Sequence, residues 1–444
     1  MLAEKSNQQT QLDKQHLLVP QLKHMKYCLV ILAAITTTCL SAQKKITKAP
    51  AIERSFLEDL LSEDATLKPF MQQAKTLNIQ IIYTKIDRDS KNQPQFTDYQ
   101  FRTNSYQYFY PASTVKMPIA FLALEKLNNL KAKGLNKFTA MITDSSSEKQ
   151  SMVFTHPSAE NSVPSIAHYI KQIFLVSDND AFNRLYEFLG QQYIQEHLKK
   201  KGYKDVIIRH RLQVPLSVEQ NKLTNAISFR DTSGNSIYEQ AAQYSEAKFE
   251  QLDVRLGKGY YKGDKLVKEP FDFSLKNRVY LQDLHNVLRS VLFPEVYSSK
   301  HQFNLNKEDY NFLLHWMSAY PRESKFPNYD SVNYWDAYCK FLLFGSEKKE
   351  IPNHIRIFNK VGDAYGFLTD VAYVVDFKNK VEFMLSATIS CNSDGIYNDD
   401  KYDYETIGYP FMKRLGEVIY SYELKRERQQ VPNLTKFNIN YQQQ

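Results

Sequence analysis

Ser113 and Lys116 stand three residues apart in "YPASTVKMPIA" (Tyr110–Ala120), where a polar, tyrosine-rich segment gives way to an apolar run. Residues at that spacing share one face of an α-helix, so the amine of Lys116 can lie against the hydroxyl of Ser113. A serine hydroxyl is a weak nucleophile at neutral pH, and a neighbouring lysine becomes its base when burial or a nearby cation keeps the amine uncharged. The spacing alone decides little, because four further S-x-x-K runs begin at Ser41, Ser146, Ser245 and Ser346. Taken alone, Ser113 also reads as a helix cap and Lys116 as a solvated lysine.

Two later motifs single out the first pair. Ser177, Asp178 and Asn179 form an S-D-N run at the junction of two helical patterns, where side chains can face a cleft. Without the other motifs, Ser177 and Asp178 are ordinary capping residues. "NKVGDAYG" places Lys360 and Gly362 at the end of a strand pattern, where a glycine lets a substrate backbone approach; its plainer reading is a strand-end turn. A second K-x-G, at Lys200, ends a helix and fits nothing.

The ordered trio S-x-x-K, S-D-N, K-x-G resembles the signature of class A β-lactamases and penicillin-binding proteins. The resemblance covers about residues 51–425. It implies Ser113 as nucleophile, Lys116 as its base and Ser177 as relay of a proton to the leaving nitrogen. It further implies that Asn179 and Lys360 hold the substrate, with Gly362 beside it. The backbone N–H groups of Ser113 and Asp363 would form the oxyanion hole, worth a few kcal/mol per donor. Asp178 is expected to be structural. The expected substrate is a small-molecule β-lactam or a peptidoglycan-like amide, with no cofactor and no metal.

Two departures qualify this. Val361 stands where the family has Thr or Ser, so a hydroxyl expected to contact the substrate's carboxylate is missing. Class A enzymes also hold a glutamate, with an asparagine four residues on, that activates the deacylating water. The corresponding "RHRLQVPLSVEQNKLTNAISF" has Glu219 as its one carboxylate, with Asn225 six residues on. Glu219 is therefore either the base or an unremarkable surface residue. Without a base, acylation proceeds while hydrolysis stalls.

The elements that must position these residues follow from periodicity. "NIQIIYTKID" and "FTDYQFRT" alternate as a strand pair around a polar turn. The next two hundred residues read mainly as helices, among them 112–130, 165–176, 180–190, 281–293 and 307–320. Strands return at 354–362, 367–377 and 381–390 before a last helix at 406–424. The order β, α, β predicts an α+β fold of the β-lactamase/transpeptidase-like kind. An antiparallel sheet from both chain ends (51–110 and 354–425) would carry an inserted helical lobe (111–353), with a cleft between them. Residues 228–275, with a hairpin at "GKGYYKGDKLVKEP", and the tyrosine-rich 320–352 read as additions, and 426–444 as a polar tail.

At 444 residues, 43% hydrophobic and 24% charged, the chain can bury a full core. Its formal charge of +8 falls to +6 once residues 1–42 are set aside, and no aromatic-basic motif argues for nucleic acid. In that leader, Lys26 precedes the apolar octet Cys28–Ile35 and then "LSA" ending at Ala42, the order of a secretory signal, with Met25 the expected true start. Export to the periplasm or the outside is expected, with no stable membrane span after cleavage, because no apolar run approaches the ~20 residues required. Lipid attachment at Cys39 is the less favoured outcome, since "TTTC" lacks the usual leucine. Cys28 and Cys39 fall in the leader, which leaves Cys339 and Cys391, a possible disulfide.

Three functions fit: an exported serine hydrolase attacking a β-lactam through an acyl-serine; a D,D-peptidase, penicillin-binding protein or esterase with slow β-lactam turnover; or a non-catalytic envelope binding module. The ten histidines form no H-E-x-x-H, and G-x-S-x-G is absent.

Overall fold

The computed structural model describes residues 54–103 and 107–441. The leader, with Met25, Cys28 and Cys39, lies outside the described residues. After helix α1 (Arg54–Glu63) come strands β1 (Gln80–Arg88) and β2 (Pro94–Phe101). The helical stretch holds α2 (Lys116–Leu130), α3 (Ile166–Val176), α4 (Asn179–Leu189), α5 (Leu281–Leu292) and α6 (Lys307–Ser318). Strands β3 (Ile355–Ala364), β4 (Phe367–Asp376) and β5 (Val381–Ser390) and helix α7 (Tyr409–Lys425) follow.

The strands form one antiparallel sheet in the order β3-β4-β5-β1-β2, with Ile81 opposite Ala387 and Tyr83 opposite Leu385. The two chain ends therefore share a sheet, and α+β is the observed class.

Both faces of that sheet are buried, because its strands alternate apolar residues in both directions. Ile82, Ile86, Phe358, Val371 and Tyr373 join the core formed with α2 to α6. Ile81, Tyr83, Ile357, Val361, Val374 and Leu385 join a second core, closed by Leu57 and Leu61 of α1 and by Phe411, Leu415 and Ile419 of α7. Consecutive residues of β3 thus serve different cores. Lys360, two residues after Phe358, faces the helical side, while Val361 packs on the other.

The added segments are fixed to this frame. Ile227–Arg230 pairs with Ala140–Thr143 and Ser236–Gln240, and the hairpin Gly259–Lys262/Lys265–Val267 continues onto Ile396–Tyr397. Residues 320–352 contain a single 3-10 turn, Pro321–Glu323, and otherwise irregular backbone. They are strapped to β4 by buried Asp370, whose carboxylate accepts the N–H groups of Phe341 and Leu342 at 3.0 and 2.9 Å. Cys339 and Cys391 are free, buried thiols. Among the described residues no helix is long and apolar enough to cross a membrane.

Candidate active site

Ser113 sits in a 3-10 turn, Ala112–Val115, that feeds directly into α2 at Lys116. Ala112 holds a left-handed φ of +46°, a strained conformation for a residue with a Cβ, and Thr114 closes the turn by bonding the Pro111 carbonyl through its N–H and its hydroxyl. Pro118 falls in the first turn of α2, where its missing N–H costs nothing. The turn is pressed against β3 at Gly362. A Cβ there would lie 2.7 Å from the Pro111 carbonyl oxygen and 2.9 Å from the backbone nitrogens of Ser113 and Thr114. The glycine is needed for this close approach.

The S-D-N run is a helix-to-helix turn. Ser177 ends α3 with a left-handed φ of +59°, and Asp178 caps α4 by accepting the Ala181 N–H at 2.8 Å. Asp178 is therefore a capping residue. Ser177 and Asn179 are turned toward Lys116, whose Nζ bonds the Ser177 carbonyl, lies 3.3 Å from Ser177 Oγ and donates to Asn179 Oδ1 at 2.7 Å. Lys360 Nζ donates to the same Ser177 Oγ at 2.8 Å and to the Val361 carbonyl at 2.9 Å.

Lys116 is completely buried and all its partners are neutral oxygens. Burial, and next the positive charge of Lys360, pushes its amine well below the usual lysine range. A neutral amine donates to the Ser177 carbonyl and Asn179 and presents its lone pair to the Ser177 hydroxyl. The Ser113 hydroxyl has no hydrogen-bond partner among the described residues. The expected contact between Ser113 and Lys116 is thus not made in this arrangement, where Ser177 and Asn179 hold the amine.

A cleft of about 730 Å³ opens over Ser113. Tyr110, Asn179, the loop 209–218, Lys276, Asp363 and Tyr365 line it. The loop is set by buried contacts: Arg211 pairs with Glu187 at 3.0 Å, Asn183 exchanges two hydrogen bonds with the backbone of Leu212, and Asn277 Oδ1 accepts the N–H groups of Arg209 and His210.

This geometry brings together Ser113, Lys116, Ser177, Asn179, Lys360 and Gly362, with Asp363 at the cleft wall. It does not bring Glu219. That side chain is 65% exposed, in the short helix Val218–Lys222, and binds Lys222 at 2.8 Å and the Tyr244 hydroxyl at 2.6 Å. Asn225 is committed to Glu187 and to the N–H of Ser146. The reading of Glu219 as a deacylating base is corrected accordingly. The loop residue that reaches the cluster is Gln213, whose Oε1 accepts from Asn179 Nδ2 at 2.7 Å. Nothing in the sequence marked it, because a lone glutamine in a loop carries no spacing signal.

The family model described as "Beta-lactamase enzyme family" matches residues 65–245, a span holding Ser113, Lys116 and the S-D-N turn. Those residues belong to the β-lactamase enzyme family. The α+β arrangement above is the β-lactamase/transpeptidase-like fold. No curated protein matches the chain. Among solved structures, a β-lactamase from Sphaerobacter thermophilus is 11% identical, with 84% of this chain and 97% of that one covered at a TM-score of 0.45. PBP-A is 15% identical, with 84% and 98% covered at 0.45. A class A β-lactamase from Clostridium kluyveri is 14% identical, with 80% and 97% covered at 0.43. Val361, outside the matched span, does not line the cleft; its side chain lies in the second core, 1% exposed. The expected hydroxyl contact is lost through orientation as well as residue type.

Proposed function

We propose that the chain is an exported serine acyl-transfer enzyme that opens a β-lactam or a related amide through an acyl-Ser113 intermediate. The observation that carries this reading is the buried, depressed Lys116 amine three residues from Ser113, with the Lys360 ammonium on the other side of Ser177. In the forward step the amine takes the Ser113 proton as Oγ attacks the carbonyl carbon. The developing oxyanion is met by the N–H groups of Ser113 and Asp363. The C–N bond then breaks, and the proton passes from Lys116 through Ser177 to the leaving nitrogen. Asn179 and Lys360 orient the substrate.

A second reading concerns turnover. Hydrolysis of the acyl-enzyme needs a base for water, and the loop residue facing Asn179 is an amide without useful basicity. His210 has both ring nitrogens engaged, by the Arg211 carbonyl and the Asn277 N–H. This favours slow deacylation, the behaviour of a penicillin-binding protein, D,D-peptidase or esterase with a trapped β-lactam.

Mass spectrometry of the protein with a penicillin tests both readings. A mass increase on Ser113, absent in Ser113→Ala, is expected, with decay over hours rather than seconds. An unmodified wild type that also fails to react with D-Ala-D-Ala peptides, esters and a fluorophosphonate would leave only a non-catalytic binding module.

A further inference from the structure

Two cations in the cleft lack a carboxylate. Lys276, at the end of the added segment, is half-buried; its Nζ lies 3.2 Å from the Tyr365 hydroxyl and over the rings of Tyr365 and Phe271 at 5.3 and 5.7 Å. Arg209, also half-buried, lies over Phe249 at 5.0 Å, and among the described residues its guanidinium has no hydrogen-bond or ion-pair partner. Both line the cleft that holds Ser113, and both line a smaller neighbouring cavity whose one carboxylate, Glu250, pairs with Arg278 at 3.2 Å, so they stand on one wall. The third cleft cation, Arg211, is already neutralised by buried Glu187.

Holding half-desolvated cations without counter-ions costs stability unless a ligand offsets it. The cleft's one carboxylate, Asp363, acts instead on Lys116 and Lys360. On β3 the side chain after Lys360 is Val361, buried in the opposite core, so that strand offers no second side-chain donor to an anion. Tyr110, His210 and Tyr365 continue the wall as ring faces; Tyr110 packs edge-on against Tyr365 at 5.0 Å and parallel to His210 at 6.5 Å.

We infer that Lys276, assisted by Arg209, is the specificity-determining anchor for a carboxylate carried by the substrate away from its scissile carbonyl. Lys276 directly follows the added segment, whose last residue, Leu275, also lines the cleft. This rests on the proposed reading for its location beside the nucleophile, but binding at the wall needs no chemistry and is measured without it.

The test pairs two probes that differ in one group: an N-acylated D-Ala-D-Ala peptide with a free terminal carboxylate, and the same peptide amidated there. Calorimetric affinities are taken in Ser113→Ala, alone and combined with Lys276→Met or Arg209→Gln; the methionine keeps the apolar stem on Tyr365. The free carboxylate should bind about tenfold more tightly than the amide, the difference expected for one hydrogen bond to a charged group. Lys276→Met should abolish most of that preference, Arg209→Gln should reduce it, and affinity for the amide should not change. A preference that survives in both variants, or equal binding of the two probes by Ser113→Ala, overturns the inference. Acylation of the wild type by either probe tests the serine chemistry separately, so an inert serine with an intact carboxylate preference defeats the proposed function alone.

Discussion

Lys116 and Lys360 converge on one oxygen: Ser177 Oγ lies 3.3 Å from the first amine and accepts from the second at 2.8 Å. Two ammonium groups so close repel, so the pair favours a state with one charge, and the more deeply held Lys116 gives up its proton. Acylation should therefore rise with pH through the depressed value of Lys116, because only the neutral amine accepts a proton. Lys360→Gln removes the repulsion and lets Lys116 hold its proton to higher pH. The acid limb of the acylation-rate profile should move upward in pH in that variant. An unmoved limb would show that Lys116 is neutral through burial alone.

The contact between Gly362 and the serine turn yields a second prediction. The atoms a Cβ would meet are all backbone, so no side chain can swing aside. Gly362→Ala should push the Ala112–Val115 turn away from β3, costing about 1–3 kcal/mol of stability by overpacking. It should also lower the acylation rate by about 10²-fold, the penalty of displacing a reacting group by roughly an ångström. Denaturant melts and the acylation rate check the two parts. A variant that loses stability but acylates normally would detach the Gly362 contact from the nucleophile's alignment.

Acid sensitivity follows from histidines held neutral inside the fold. His285 of α5 is fully buried between Thr84 and Ser386, each at 2.8 Å. Thr84 donates to Asp98, which also pairs with Arg289, so Thr84 Oγ1 accepts from His285 Nε2 and Ser386 donates to Nδ1. Burial lowers His285 to about 3, and burial likewise lowers His168 to about 3. An unfolded histidine titrates near 6.5, so between about pH 6.5 and 3 the unfolded chain binds more protons and stability falls as pH falls. The loss should be on the order of 2 kcal/mol per such histidine by pH 5. His285→Gln should lower stability at pH 7 yet flatten this slope, as followed by denaturant melts at several pH values.

How much of this was legible in the sequence depends on whether a residue is placed by local pattern or by distant contact. Ser113 and Lys116 sit on a turn running into a helix, and Ser177 and Asn179 flank a cap, so spacing placed them. The sheet strands were legible because their apolar runs alternate. Glu219 misled because it was the one carboxylate in its loop. Yet Ser217 and Gln220 form a capping box that sets Glu219 on the first turn of a short exposed helix, a local signal that was available. Gln213 and Arg209 were not legible, because Asn183, Glu187 and Asn277 set their loop through contacts across tens of residues. The orientation of Val361 needed the register of β3 and the knowledge that both sheet faces are buried.

Gln213 offers the sharpest test of how this site handles its acyl-enzyme. Its Oε1 accepts from Asn179 Nδ2, and Asn179 Oδ1 accepts from Lys116, so Gln213 ends a chain of contacts that begins at the base. A glutamate there can keep the bond to Asn179, since a carboxylate oxygen accepts as well as an amide oxygen. Its other oxygen is then free to take a proton from water. Gln213→Glu should shorten the life of the penicilloyl adduct by about 10²–10⁴-fold, the range of a positioned general base, while its rate of formation changes little. Time-resolved mass spectrometry separates the two rates. Because Gln213 is exposed, with a left-handed φ of +58° that the substitution does not alter, the fold should be unaffected. An adduct as durable as that of the wild type would show that a carboxylate at position 213 does not reach the attacking water.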